Sequence, residues 1–205
     1  MPKARKARVG RWPLLVTLAV VVVIVGVGLR ALLAETGLAP NFTLDANTGG
    51  TVTLSHYRGR PVLVEFMATW CMYCAWESRW VLPQVETAAA QSGFVVLAVD
   101  ASQLGGIGVS GPADNPGAGH DGSMTPLPTV GTEAAAMHEL DAYAATFGLT
   151  MPFLYDPGLQ VTTAYHVTAY PTLVVIGASG HIVKTYVGPQ TAATLLAELG
   201  YAAHH

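Results

Sequence analysis

The fold is decided by the stretch Val62-Leu63-Val64-Glu65-Phe66-Met67-Ala68-Thr69-Trp70-Cys71-Met72-Tyr73-Cys74. Its first six residues predict a buried β-strand, and a helix is predicted from Ala75 to Gln91, which Pro83 would kink or split. Cys71 and Cys74 are the only cysteines of the chain, so the pair can gain or lose two electrons by forming one bond. Because a helix N-terminus stabilises a thiolate, Cys71 is predicted to be the nucleophile. Cys74, one turn in and more buried, is predicted to be the resolving thiol.

Two other interpretations of the cysteine pair are open. A CxxC is half of many zinc sites, but tetrahedral zinc needs four ligands, and the seven histidines show no matching spacing. A permanent structural disulfide would close a very small loop and stabilise little. A CxxC between a strand and a helix is instead the redox signature of a thioredoxin-like fold, so a redox role is favoured over both.

The N-terminus predicts a membrane signal anchor. Five basic residues lie within residues 1–11, and an uncharged stretch rich in Val and Leu follows from Trp12 to Leu29. Its length is near that of a membrane span, whereas the core of a cleaved signal peptide is shorter. We therefore expect residues 1–34 to form a cytoplasmic basic tail and an uncleaved anchor, and residues 35–205 to form an exported domain. A cleaved signal peptide is the alternative.

Charge separates the two predicted parts of the chain. All thirteen acidic residues lie after Arg30, together with only four basic residues, so the predicted exported part has a net charge of −9. An acidic domain without a basic stripe is a poor nucleic-acid binder, and no nucleic-acid partner is expected. With only two cysteines in an oxidising compartment, the pair is expected to be a working dithiol rather than a scaffold.

Elsewhere the pattern alternates between strands and helices. A β-hairpin is predicted over 42–54, strands over 94–100, 153–155 and 172–176, and a terminal hairpin through 187. Helices are predicted over 132–147, 160–165 and 191–199, the first of them opened by Thr132. Residues 102–130 are rich in Gly and Pro and are predicted to be a long loop without packed elements. The order predicts an α/β fold, a mixed central sheet with helices on both faces.

Six motifs in order resemble the TlpA/ResA branch of membrane-anchored, thioredoxin-like thiol–disulfide oxidoreductases. The resemblance covers about residues 39–200 apart from the insertion. The dipeptide Met72-Tyr73 and the residue Met67 depart from the family pattern, and residues between the cysteines tune the potential of such sites. The matching motifs lie at 39–44, 54–62, 68–77, 155–157, 170–172 and 180–188.

The resemblance and the residues together assign roles around the cysteines. Glu65 stands where thioredoxins carry a buried acid; burial in an apolar strand would raise its pKa and suit it to accept the proton of Cys74. The alternative is an edge strand that turns Glu65 to solvent. Pro171 resembles the family's cis-proline facing the CxxC, and its turn would expose the Tyr170 backbone to an extended substrate. An ordinary trans proline opening a strand is the other interpretation.

Aromatic residues and a second acid surround the motif. Trp70 is expected to shield the sulfurs and to offer a contact surface, and Met72 and Tyr73 are predicted to contact substrate. Trp76 and Trp80 are predicted on the same face or in the core. Glu77 is either an electrostatic partner of the cysteines or a solvated helix acid.

The resemblance implies an enzyme that reduces disulfides in exported proteins, such as apocytochromes in cytochrome c maturation or metal-site assembly proteins. It implies a membrane electron donor of the DsbD/CcdA type, a location in the bacterial cytoplasmic membrane with the catalytic domain on the periplasmic side, and no cofactor beyond the redox-active Cys71–Cys74 disulfide. A thioredoxin-like Cu(I) chaperone is one alternative, because soft thiolates suit Cu(I). A redox-inert binding domain is the other.

Overall fold

A computed structural model describes residues 37–101, 104–105, 127–128 and 132–205, with only the backbone described at 104–105 and 127–128. The predicted anchor and most of the predicted insertion lie outside these ranges. Within them, every helix is too short or too polar to cross a bilayer.

The described chain enters the fold through the predicted hairpin. Its strands are β1 (Thr43–Ala46) and β2 (Thr51–Thr53), which pair antiparallel. Gly49 has a φ of 90° in the connecting turn, a conformation that favours glycine. A 3₁₀ turn, Leu54–Tyr57, leads on to the central strands.

The predicted strand and the predicted split helix follow. Strand β3 (Val62–Met67) leads into helix α1 (Met72–Trp80), and helix α2 (Leu82–Ser92) continues after a break at Val81. Pro83 lies in the first turn of α2, where a missing N–H breaks no helical hydrogen bond. The break confirms that the helix predicted over 75–91 is interrupted.

Strand β4 (Val95–Asp100) comes next, followed by the insertion. The sequence predicts residues 102–130 as a long loop without packed elements, and the structure adds one short strand near each end of that range. There β5 (Leu104–Gly105) and β6 (Leu127–Pro128) form a short antiparallel ladder. Backbone pairing of two residues needs no apolar pattern, so composition could not reveal it. Helix α3 (Glu133–Phe147) then begins at the cap Thr132, as predicted.

The second half of the domain matches the predicted order. It consists of β7 (Phe153–Tyr155), the short helix α4 (Gln160–Ala164), the hairpin of β8 (Thr172–Ile176) and β9 (Ile182–Val187), and α5 (Ala192–Ala202). The last helix runs three residues further than predicted.

The strands of the domain form one seven-stranded mixed sheet, in the order β2-β1-β7-β4-β3-β8-β9. β3 and β4 run parallel at its centre and every residue of both is buried, which explains their unbroken apolar runs. Side chains alternate between the two faces of a strand. Val64 and Phe66 lie in one core, with the hairpin, whereas Leu63 and Met67 lie in the other, with α1, α2, α3 and α5. Alternation puts Glu65 on the second face, beneath α1.

Candidate redox site

Cys71 caps the N-terminus of α1. Its φ of −75° and ψ of 117° are extended, and its Sγ accepts the N–H of Cys74 at 3.3 Å. A hydrogen bond from the Cys74 thiol lowers the pKa of Cys71, backbone N–H groups of Cys74 and Tyr73 lower it further, and partial burial opposes them. With 6% of its surface exposed, Cys71 still reaches the surface, and its lowered pKa favours the thiolate.

Cys74 has the opposite character. It is fully buried, and burial raises the pKa of its thiol well above the ordinary value. Its hydrogen bond to Cys71 and the charges of Cys71 and Glu65 raise the pKa further. The two thiols therefore differ in pKa and in burial, and Cys74 is the more buried of the two, as predicted.

Glu65 lies in the middle of β3, with Ala98 of β4 and Leu173 of β8 as its neighbours across the sheet. The interpretation that placed it on an edge strand facing solvent is wrong, because β3 is central and Glu65 is fully buried. Among the described residues, no hydrogen-bond donor reaches either of its carboxylate oxygens. Burial raises the pKa of Glu65 well above its ordinary value, and the charges of Glu77 and Cys71 add to that effect.

Glu77 is the second buried acid, and its interpretation as a solvated helix residue is wrong. It is fully buried, its Oε1 accepts the backbone N–H of Gln190 at 2.7 Å, and no described donor reaches its Oε2. Burial is the main cause that raises the pKa of Glu77 to about 8, against the Gln190 hydrogen bond, which lowers it. Interaction between the two carboxyl groups raises the pKa of Glu65 and lowers that of Glu77.

No pattern in the sequence singles out Gln190. It contributes a backbone amide from the loop between β9 and α5, and a backbone amide is present at every residue except proline. Only the fold brings that amide to Glu77.

The proline loop lies at the same end of the sheet. The Tyr170–Pro171 peptide bond is cis. Strand β8 begins directly after Pro171, and its first residue, Thr172, pairs with Phe66 close to the end of β3 that leads to Cys71. The Pro171 carbonyl accepts the N–H of Gly188 at 2.8 Å.

The Tyr170 side chain adds a contact that the sequence did not predict. Its ring meets Trp70 edge to face, with centroids 6.1 Å apart, and its hydroxyl donates to the Ala101 carbonyl. Burial raises the pKa of Tyr170, and the charges of Asp100, Cys74 and Cys71 raise it further. Trp70 and Tyr170 thus join the CxxC loop to the proline loop.

The remaining aromatic residues of α1 divide between core and surface. Trp76 and Trp70 pack against the helix-side core. Tyr73 is 38% exposed and Trp80 is 51% exposed, while Met72 is half-buried. Tyr73 and Met72 are thus placed on the rim of the cysteine pair. Within the described ranges, no cluster of three or more metal-ligating side chains adds a histidine to the two thiols.

Three features define a thioredoxin-like thiol–disulfide oxidoreductase: a CxxC that caps a helix beside a central strand, a cis-proline loop at the same sheet edge, and a buried acid on the helix face of the sheet. The order of the strands in the sheet agrees with that class. The chain belongs to the Redoxin family, whose model matches residues 34–199.

Individual relatives support this assignment. The thiol-disulfide oxidoreductase ResA of Bacillus subtilis (strain 168) is 26% identical over 159 residues, which cover 78% of this chain and 70% of that protein. The predicted resemblance to ResA is thereby confirmed.

Solved structures show the same fold. A putative thiol:disulfide interchange protein DsbE from Chlorobium tepidum matches with a TM-score of 0.59 at 23% identity, over 82% of this chain and 96% of that one. The exposed lipoprotein thioredoxin Etrx1 from Streptococcus pneumoniae strain TIGR4 matches with a TM-score of 0.52 at 28% identity, over 79% and 99% of the two chains.

Proposed function

We propose that this thiol–disulfide oxidoreductase works as a reductase of disulfides in exported partner proteins. The observation that carries the proposal is the cysteine pair at the start of α1, in which the pKa of Cys71 is lowered and that of the buried Cys74 is raised. The direction of the reaction follows from the resemblance to the TlpA/ResA branch.

The proposed reaction moves two electrons from the dithiol to a substrate disulfide. The Cys71 thiolate attacks one substrate sulfur, the substrate disulfide breaks, and the first substrate thiolate leaves and takes a proton from solvent. Cys74 then loses its proton and attacks Cys71 Sγ. This forms the Cys71–Cys74 disulfide and releases the second substrate thiolate. A membrane dithiol donor, of the DsbD/CcdA type implied by the resemblance, would return the two electrons.

Glu65 is proposed to accept the proton of Cys74. Both groups are fully buried on the helix side of the sheet, and burial raises the pKa of Glu65, which makes it a stronger base than an exposed carboxylate. The ionised fraction of Glu65 grows with pH, and resolution should accelerate with it. In Glu65→Gln, single-turnover release of the second thiol should be slower and should lose this part of its pH dependence. An unchanged rate across pH would remove Glu65 from the mechanism.

The substrate is proposed to lie along the proline loop. An extended segment around the target disulfide would contact the Tyr170 backbone before Pro171. It would also contact Met72 and Tyr73 on the rim, and Trp70 behind them. The ResA relatives are named thiol-disulfide oxidoreductases, which supports a protein disulfide as the substrate. Apocytochromes and metal-site assembly proteins are the proposed classes.

The proposed location is the cytoplasmic membrane of a bacterium, with the redox domain outside the cytoplasm. It rests on the basic and apolar pattern of residues 1–34. Carbonate extraction of membranes tests whether the protein is anchored. Protease treatment of intact spheroplasts tests whether the redox domain lies outside the cytoplasm. Release by carbonate would overturn the anchor, and protection of the domain in intact spheroplasts would overturn the orientation.

The reduction potential decides the direction. Equilibration with glutathione or dithiothreitol buffers should give a value near or below about −200 mV, toward that of thioredoxin. A value near about −120 mV would identify a disulfide-forming oxidant instead. The variant Cys71→Ser, which forms no intramolecular disulfide, is the control for the signal.

A further inference from the structure

Helix α3 contacts the redox segment at three places along one of its faces. Glu139, Tyr143 and Phe147 are spaced by four residues, so their side chains follow one another along that face. Glu139 accepts a hydrogen bond from the Thr69 hydroxyl, and Tyr143 contacts Ser78. The Phe147 ring centroid lies 5.7 Å from the guanidinium of Arg79.

Two of these contacts bracket the cysteines. Thr69 lies two residues before Cys71, and Ser78 lies four residues after Cys74 and therefore on the same face of α1. Ser78 Oγ is 2.9 Å from the Tyr143 hydroxyl oxygen. Ser78 and Tyr143 are both buried, so their hydrogen bond acts in a medium of low polarity, whereas the Thr69 bond joins a buried hydroxyl to the half-buried Glu139.

The contact between Ser78 and Tyr143 is unusual because two hydroxyl groups meet inside an apolar core. Tyr143 packs between the rings of Phe147 and Phe153, at centroid distances of 4.8 and 5.7 Å, where a phenylalanine would bury the same ring. Burial raises the pKa of Tyr143 well above its ordinary value, so its hydroxyl keeps its proton. Two apolar side chains of the same size in place of Ser78 and Tyr143 would fill this space at little cost in stability. They would not form the hydrogen bond that fixes the distance between the two hydroxyl oxygens.

We propose that α3 is a positioning element for the redox site. Its residue Glu139 holds the loop before Cys71, and Tyr143 holds the helical turn after Cys74. Together they set the geometry in which Cys74 attacks a mixed disulfide on Cys71. This inference rests on the proposed exchange reaction and adds Thr69, Ser78, Glu139 and Tyr143 as positioning residues.

The test uses glutathione disulfide as the probe, so it needs no physiological substrate and does not depend on the direction of the reaction. The Cys71 thiolate displaces one glutathione thiolate and forms a mixed disulfide. Cys74 then displaces the second glutathione thiolate and closes the Cys71–Cys74 bond. Rapid acid quench and mass spectrometry give the rate of closure, and thermal unfolding of the same samples gives the stability.

Tyr143→Phe should slow closure by about 2- to 10-fold, the effect of one lost hydrogen bond. Thr69→Val should slow it similarly. The decisive protein is the double variant Ser78→Ala/Tyr143→Phe, which leaves no buried hydroxyl unpaired. It should regain stability relative to the single variants and still close slowly. Thr146→Val is the matched control on α3, because among the described residues the Thr146 hydroxyl bonds to the Ala142 carbonyl of its own helix, at 2.7 Å, and to no other group.

A double variant that closes at the wild-type rate would reduce the Ser78–Tyr143 pair to a packing contact and overturn the proposal. A wild-type protein with the potential of an oxidant would instead overturn the proposed direction and leave the closure comparison intact.

Discussion

Replacing Glu77 by glutamine should change how the stability of the domain depends on pH. The pKa of Glu77 is raised from 4.5 to about 8 in the folded protein, with burial as the main cause. The folded state therefore keeps a proton that the unfolded state releases as pH rises from 4.5. Stability linked to this proton is fully present below pH 4.5 and is lost progressively as pH rises to about 8.

The size of the effect follows from the width of that window. Each pH unit between the two pKa values changes the free energy of unfolding by about 1.36 kcal/mol. Between pH 5 and pH 8 the wild type should therefore lose up to about 4 kcal/mol relative to Glu77→Gln. The glutamine keeps the shape of the side chain, and its amide oxygen accepts the Gln190 N–H in place of the carboxylate.

Urea unfolding at pH 5 and pH 8, with both cysteines kept reduced, measures this difference. Glu133→Gln, which makes the same chemical change at an exposed position in the first turn of α3, is the matched control. The reasoning is refuted if the difference in unfolding free energy between the wild type and Glu77→Gln is the same at both pH values.

Three further results are expected. Thiolate absorbance should show that Cys71 titrates below its ordinary pKa of 9.0, because the Cys74 thiol and backbone N–H groups stabilise its charge; titration at or above that value would contradict the capping geometry. Cys74→Ala should accumulate a mixed disulfide on Cys71 that mass spectrometry detects, and its absence would mean that Cys71 is not the attacking thiol. Leu195→Ala, at a fully buried position of α5, should lower the free energy of unfolding by about 2–5 kcal/mol. In the same urea titration, exposed Val187→Ala should have a far smaller effect, and equal losses would contradict the packing of α5.

The features that could be predicted from the sequence are those that depend on neighbouring residues in the chain. The apolar run of β3, the cap at Cys71 and the interruption near Pro83 each depend on a few adjacent residues, and all three occur in the structure. The burial of Glu65 was also predictable. Its neighbours on both sides in the strand are apolar, so an acid among them loses its contact with water when the strand lies at the centre of a sheet.

The parts that were not predictable depend on contacts between distant segments. Glu77 has the same sequence context whether its helix face meets solvent or β3, so the sequence left both interpretations open. The partner of Ser78 lies 65 residues away on α3, and the partner of Glu77 lies 113 residues away. A hydroxyl or an amide carries no signal of such a partner until the fold is known.

Four ionisable groups meet in the site because of the two-residue repeat of a strand and the spacing of residues along a helix. Glu65 reaches the helix face of the sheet because strand side chains alternate, and Cys71, Cys74 and Glu77 follow one another at intervals of three residues along the start of α1. All four are buried, so charges on them interact strongly. A thiolate on Cys71 raises the pKa of both acids. When the Cys71–Cys74 bond forms, that negative charge disappears and both acids become easier to ionise. The site therefore couples the loss of two electrons to the release of protons, and its reduction potential must fall as pH rises through the range in which these groups titrate.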